Sequence, residues 1–226
     1  MQESKGRIAW LAGATGLVGG FVLKQLIASE RYASVVVLTR RTVRAEDPKI
    51  EQRVVNFDQL PAMDLPAADD VFCALGTTIK RAGSQEAFRH IDLDFPLALA
   101  NKALARNAKQ FLLVSSVGAN AKSKNFYLRT KGELEDAVAA LPFEATHIFR
   151  PSILVGQREE RRAGERAGIV FMKLISPMLL GGLRKYHPIE AEDVARSMVS
   201  VAAMEGSGKS VYEYKRMMAL IKSGAG

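Results

Sequence analysis

What this chain lacks narrows it first. It has one cysteine, Cys73, among 226 residues, so no disulfide can form within it. That chemistry suits a reducing compartment, and a cytoplasmic protein is the expectation. Histidine is nearly as scarce: His90, His147 and His187 lie far apart, with no pair at metal-ligand spacing, so no metal is expected. His147 reads as a core or edge-strand residue, and His187, beside Pro188, as a candidate for lining a cleft. No apolar run approaches the roughly 18 residues of a membrane-spanning helix. The polar start, residues 1–7, has no apolar stretch of the kind that ends in a signal-peptide cleavage site. Aromatics make up only 7% of the chain. No aromatic stacking motif or finger motif accompanies the net charge of +8, which argues against nucleic acid as a partner. The basic residues are also dispersed. Arg40, Arg41 and Arg44 stand together, as do Lys122 and Lys124. Arg158, Arg161, Arg162 and Arg166 alternate with Glu159, Glu160 and Glu165, which reads as a solvated helix face.

What is present points to one fold. With 48% hydrophobic residues, the chain can bury one sizeable core. The organising stretch is 11–20, Leu-Ala-Gly-Ala-Thr-Gly-Leu-Val-Gly-Gly, which follows the apolar run 8–12 and precedes a helical pattern at 21–27. Strand, glycine turn and helix are the context in which such a triplet binds a dinucleotide. Gly13, Gly16 and Gly19 suit a tight reversal, a close approach to pyrophosphate and close helix–strand packing. The helix start then offers N–H groups to phosphate.

Strands are expected at 34–38, 51–56, 70–75, 109–114 and 144–149, with a short final one at 211–214. Helical patterns cover 84–107 (broken or kinked at Pro96), 127–141 and 189–204, and the tail after Leu220 reads as loose. This alternation is that of an α/β, doubly wound parallel sheet of Rossmann type. A single domain is expected over 1–226. Its nucleotide-binding part covers about 7–155, with a small substrate-side region at about 156–226. The apolar stretch 168–183 is too interrupted to cross a bilayer and reads as a cover for the cleft or a subunit contact. A homodimer is the base-rate expectation.

The end of the second strand reads the adenosine ribose in such folds. An acid there suits a free 2′-hydroxyl, and arginine a 2′-phosphate. No acid occurs between Ser34 and Ala45, whereas Arg40 and Arg41 do, so NADP(H) is favoured over NAD(H). Asp58, just past the third strand, is a candidate for the adenine amino group or a plain turn residue. Leu75, Gly76 and Thr77 follow the fourth strand at the edge where ligands of open sheets bind.

Tyr127 and Lys131 share one helix face. A tyrosine hydroxyl can exchange the proton that balances hydride transfer, and a neighbouring ammonium favours its ionised form. Ser116, after the fifth strand, can polarise a carbonyl.

These pieces together resemble the short-chain dehydrogenase/reductase superfamily, in its atypical, extended-like branch, and most of all the Tat-interacting-protein-like oxidoreductases. The resemblance is carried by 13–19, 72–78, 113–119, 125–133 and 149–152. It implies a Ser116, Tyr127 and Lys131 triad. It also implies a nicotinamide cofactor held by Gly13, Ala14, Thr15, Gly16, Leu17, Val18 and Gly19, with further contacts from Arg40, Leu75, Gly76, Pro151 and Ile153. Two departures stand out. The spacing from Ser116 to Tyr127 is short, which leaves Ser115 as an alternative. Asp92 stands where the family often carries asparagine. The expected function is reduction or oxidation of an unidentified carbonyl or alcohol. The alternative is an NADPH-binding regulatory or scaffold protein. An epimerase would need a nucleotide-sugar cleft for which no motif is present.

Overall fold

Parallel strands buried on both faces need apolar side chains in both directions, and the observed sheet has them. The computed structural model describes residues 6–43, 45–156 and 186–223. Its strands are β1 (Arg7–Ala12), β2 (Tyr32–Thr39), β3 (Ile50–Val54), β4 (Asp70–Cys73), β5 (Gln110–Val114), β6 (Ala145–Phe149), β7 (Leu154–Val155), β8 (Ile189–Glu190) and β9 (Gly208–Tyr212). The main sheet has seven strands, all parallel, in the order β3-β2-β1-β4-β5-β6-β9. β7 and β8 form a separate parallel pair. The expected doubly wound parallel sheet is therefore observed.

Along β1 the side chains alternate between two cores. Ala9 and Leu11 join Val22, Leu26, Met198 and Met217 on one face. Trp10 and Ala12 join Leu60, Leu99, Leu134 and Val138 on the other. The first face is covered by α1 (Leu17–Ala28), α6 (Ala191–Ala203) and α7 (Tyr214–Lys222). The second is covered by α4 (Phe95–Leu104), α5 (Phe126–Ala139) and a 3₁₀ turn, Phe57–Ala62. Each large side chain so buried contributes roughly 1.5–3 kcal/mol.

The differences from expectation have local causes. β4 ends at Cys73 rather than 75, and after the Ala74 N–H bonds the Ala12 carbonyl (2.9 Å) the chain leaves the sheet toward the ligand edge. The last strand starts earlier, at Gly208, and Tyr214 already opens α7, which runs on through Leu220. The helix expected over 84–107 is divided. α2 (Ile79–Ala82) and α3 (Gln85–Arg89) precede a π-turn, His90–Asp94, which leads into α4. Pro96 explains the π-turn. It has no N–H for the Asp92 carbonyl four residues back, and the chain widens so that the Phe95 N–H reaches the His90 carbonyl instead. The apolar stretch 168–183, the 158–166 charges and Arg44 lie outside the described residues.

Candidate functional site

The strand order reverses between β1 and β4, so the chains leaving their C-terminal ends diverge and open a crevice. The glycine turn lies there. Gly13 has φ +94°, and a Cβ on it would stand 2.4 Å from the Ala74 carbonyl oxygen. A Cβ on Gly19 would stand 2.0 Å from the Gly13 oxygen. Both positions therefore exclude any side chain. The Gly16 N–H bonds the Gly13 carbonyl (2.8 Å), and α1 starts at Leu17 with no side-chain cap and no acid in its first turn. A helix start left uncapped, beside a turn that Gly13 and Gly16 keep free of bulk, fits a pyrophosphate. Gly156 closes over the same place, since a Cβ there would lie 3.0 Å from the Leu17 side chain.

At the end of β2, Thr39 is buried and donates its hydroxyl to the Arg41 carbonyl (2.7 Å), which turns Arg40 and Arg41 out as exposed side chains. Gln52 clamps the loop beyond. Its side-chain oxygen accepts from the Val43 N–H and its NH₂ donates to the Val43 carbonyl, both at 2.8 Å. Asp58 is exposed and lies 2.7 Å from His90 Nε2, while His90 Nδ1 lies 3.0 Å from Asp94. Hydrogen bonding to Asp94 raises the His90 pKa, burial opposes it, and hydrogen bonding to Asp58 leaves the net shift upward.

Below the crevice, the Lys131 ammonium sits 2.7 Å from Asp92 Oδ1, with the two side chains 5% and 1% exposed. Asp92 Oδ2 accepts the Thr77 N–H at 2.8 Å. A Cβ on Gly76 would lie 3.3 Å from Asp92 Oδ1 and 3.7 Å from Lys131 Nζ, so the loop after β4 rests directly on the pair. Burial lowers the Lys131 pKa, but Asp92 and Tyr127 together outweigh it and the net shift is upward. Tyr127, one turn earlier on α5 and half-buried, packs its ring on Phe88, 5.5 Å between centroids.

The two serines after β5 differ. Ser115 is buried and donates its hydroxyl to Glu135 Oε1 at 2.5 Å. Glu135 is itself held by Arg150, whose Nε reaches Oε1 at 2.9 Å and whose Nη2 reaches Oε2 at 2.5 Å. Ser116 is half-buried, with only a long contact (3.4 Å) to the Val117 carbonyl. The strand-six turn supports this loop: the Val117 N–H bonds the Pro151 carbonyl at 2.9 Å. Ile153 is 38% exposed, and its carbonyl accepts the Ile189 N–H.

Sequence reasoning missed several of these residues. Gly132 is the clearest, because a Cβ on it would stand 2.1 Å from the Ala121 nitrogen. Only glycine lets the Ser116-bearing loop lie against α5. Glycine inside a helix is unfavourable, and that was the available signal. Glu135, one turn beyond Lys131, stood unmarked among Glu133 and Asp136, whereas Arg150, at the end of an apolar strand, was a charge after an apolar run. His187 lines a cleft of about 380 Å³ with Val155, Glu190 and Tyr214, and stacks on the Tyr214 ring. Ser116, Tyr127 and Lys131 are not among that cleft's walls. Among the described residues no helix is long and apolar enough to cross a membrane, and no group of metal-binding side chains occurs.

The chain's likeness to known proteins agrees with the geometry. Residues 29–175 match the HIM1 family model. Protein HTATIP2 of Rattus norvegicus is 31% identical over 99% of this chain and 93% of its own. Protein FMP52, mitochondrial, of Lodderomyces elongisporus is 37% identical over 85% of each. Among solved structures, the human epimerase family protein SDR39U1 with NADPH has a TM-score of 0.62 at 18% identity, over 91% of this chain and 74% of that one. Other structures of this fold hold NAD. The mitochondrial designation of the fungal relatives overturns the cytoplasmic expectation and points to mitochondria instead. A cysteine count reports a redox condition that more than one compartment meets, and carries no address.

Proposed function

We propose, from the premise that this chain belongs to the HIM1 family and is an atypical short-chain dehydrogenase/reductase of the HTATIP2 group, that it is an NADP(H)-dependent oxidoreductase of a carbonyl–alcohol pair. The observation that carries this reading is the position of Tyr127 and Lys131. They stand one helical turn apart on α5, with Lys131 buried against the loop at Gly76 and Thr77 on the ligand edge of the sheet. The whole chain acts as one nucleotide-binding domain, with about 156–226 on the substrate side.

The backbone of 13–19 and the start of α1 hold the pyrophosphate, because the glycines keep bulk from the turn and the N–H groups at the helix start have no side-chain cap. Arg40 and Arg41 meet the 2′-phosphate from the end of β2. Leu75, Gly76, Thr77, Pro151 and Ile153 line the edge along which the nicotinamide half lies. A bound nicotinamide supplies or takes the hydride at the substrate carbon. Tyr127 gives or takes the proton at the substrate oxygen. Ser116 donates a hydrogen bond to that oxygen. Ser115 is set aside for this role because its O–H is committed to Glu135. Lys131 bonds the ribose hydroxyls and stabilises the phenolate left when Tyr127 has given its proton. Asp58 stands near the adenine end and is shared with His90.

Calorimetric titration with NADPH and with NADH tests the cofactor, and a carbonyl panel followed by NADPH oxidation tests the reaction. NADPH binds more tightly than NADH, and Tyr127→Phe lowers turnover about a hundredfold or more. Wild-type turnover matched by Tyr127→Phe overturns the mechanism. Absence of binding by either nucleotide overturns the reading as a whole.

A further inference from the structure

A lysine shielded from water does not stay charged unaided. Lys131 Nζ is buried beneath the loop after β4, and burial alone drives an ammonium toward the neutral amine. The groups that face it come from three elements: Asp92 from the π-turn, Tyr127 from its own helix and Cys73 from β4. Cys73 is buried, and burial pushes its thiol up to about 12. The Asp92 carboxylate is the one group of the three in direct contact, at 2.7 Å. Its second oxygen is occupied by the Thr77 N–H. The carboxylate thus joins the proton-transfer helix to the loop on which the cofactor lies.

We propose that Asp92 is a positioning residue that keeps Lys131 protonated at its buried station and couples it to the Thr77 loop. This rests on the reductase reading for its meaning, but not for its test. Without the carboxylate, the lysine gives up its proton at a lower pH and is largely a neutral amine by about pH 9. The site then loses both its grip on the ribose hydroxyls and the charge beside Tyr127. With it, the pair is electrically neutral as a unit, so Lys131 can be enclosed without the full cost of burying a lone cation.

The test follows Lys131 directly. Lysine side chains are labelled with carbon-13 at Cε and titrated by NMR in the full-length protein without nucleotide, and Lys131→Met assigns the signal. In Asp92→Asn the Lys131 midpoint falls by about two pH units or more relative to wild type, on the scale seen for lysines buried without a counter-ion. Asp92→Glu recovers most of that fall. NADPH affinity, taken as the ratio of variant to wild type at each pH, drops about tenfold between pH about 5.5 and about 9 for Asp92→Asn, and stays nearly level for Asp92→Glu. An unmoved Lys131 midpoint overturns the proposal, and so does an affinity loss equal at every pH, which a merely structural role would give. If Asp92→Asn does not fold, the double variant with Lys131→Met decides: it folds when the pair is the reason, and its failure to fold overturns the proposal. Should wild type bind no NADPH, the reductase reading falls while the NMR titration still decides the role of Asp92.

Discussion

Two buried aspartates sit at opposite ends of the same sheet, and they do different things. Asp70, at the start of β4, is fully buried and saturated. Arg7 reaches it through Nε at 2.9 Å and Nη2 at 2.6 Å, and the Tyr32 hydroxyl donates to it at 2.8 Å. Arg31 stands at 3.9 Å and ties the cluster to Glu205 beyond α6. Every partner comes from the edge where β1, β2 and β4 begin. Asp92, at the other end, holds one lysine and one backbone N–H, beneath a loop whose Gly76 rests directly on the pair. A buried carboxylate is therefore no marker of function by itself. What separates the two is where their partners stand: those of Asp70 all lie at the start of the strands, whereas those of Asp92 are a helix lysine and the loop after β4 at the ligand edge.

The contrast can be broken most forcefully at Asp70. Asp70→Ala leaves Arg7 and Tyr32 without their acceptor and is expected to cost about 3–5 kcal/mol in chemical denaturation. The folded fraction is expected to bind NADPH as wild type does. A loss of affinity in fully folded protein would show that the two ends are coupled.

His147 extends the Asp70 end. Burial pushes its pKa down to about 4, with its Nε2 3.2 Å from the Gln110 side-chain oxygen. The unfolded chain takes up this proton near the ordinary histidine value and the folded one does not. Stability is therefore present above about 6.5, is lost as pH falls toward 4, and levels off below. The loss amounts to about 3 kcal/mol. Denaturation at a series of pH values should show it, and His147→Gln should flatten that limb. His90, raised and exposed, has the opposite slope and a smaller effect.

At the crevice end the expected effects are smaller and concern binding. Arg40→Ala should weaken NADPH about tenfold and leave NADH unchanged, read by calorimetry. Equal losses for both nucleotides would remove Arg40 from the 2′-phosphate. Gln52→Leu frees the loop at Val43 and should cost about threefold in NADPH affinity, with a melting temperature within a few degrees of wild type.

The sequence made the sheet legible because its information is local. Apolar runs, alternation with helices and the glycine turn each act within a few residues. At the crevice, Gly13, Gly16 and Gly19 were readable for the same reason, and the Cβ clashes at Gly13 and Gly19 explain why side chains are excluded there. What stayed hidden depends on contacts between distant segments. Ser115 and Ser116 look alike in sequence, and only Glu135, 20 residues on, distinguishes them. The π-turn was hidden because Pro96 signals a break without saying in which direction the chain yields.

That π-turn has an evolutionary consequence. A π-turn amounts to one residue inserted into an α-helix. Deleting a single residue between Asp92 and α4 would restore ordinary winding and swing Asp92 by roughly 100° around the axis, while α4 kept its place on the sheet. One codon lost or gained thus separates a chain with a carboxylate under the Gly76 and Thr77 loop from one without. Insertions and deletions here, more than substitutions, are where descendants of this fold can change chemistry in one step.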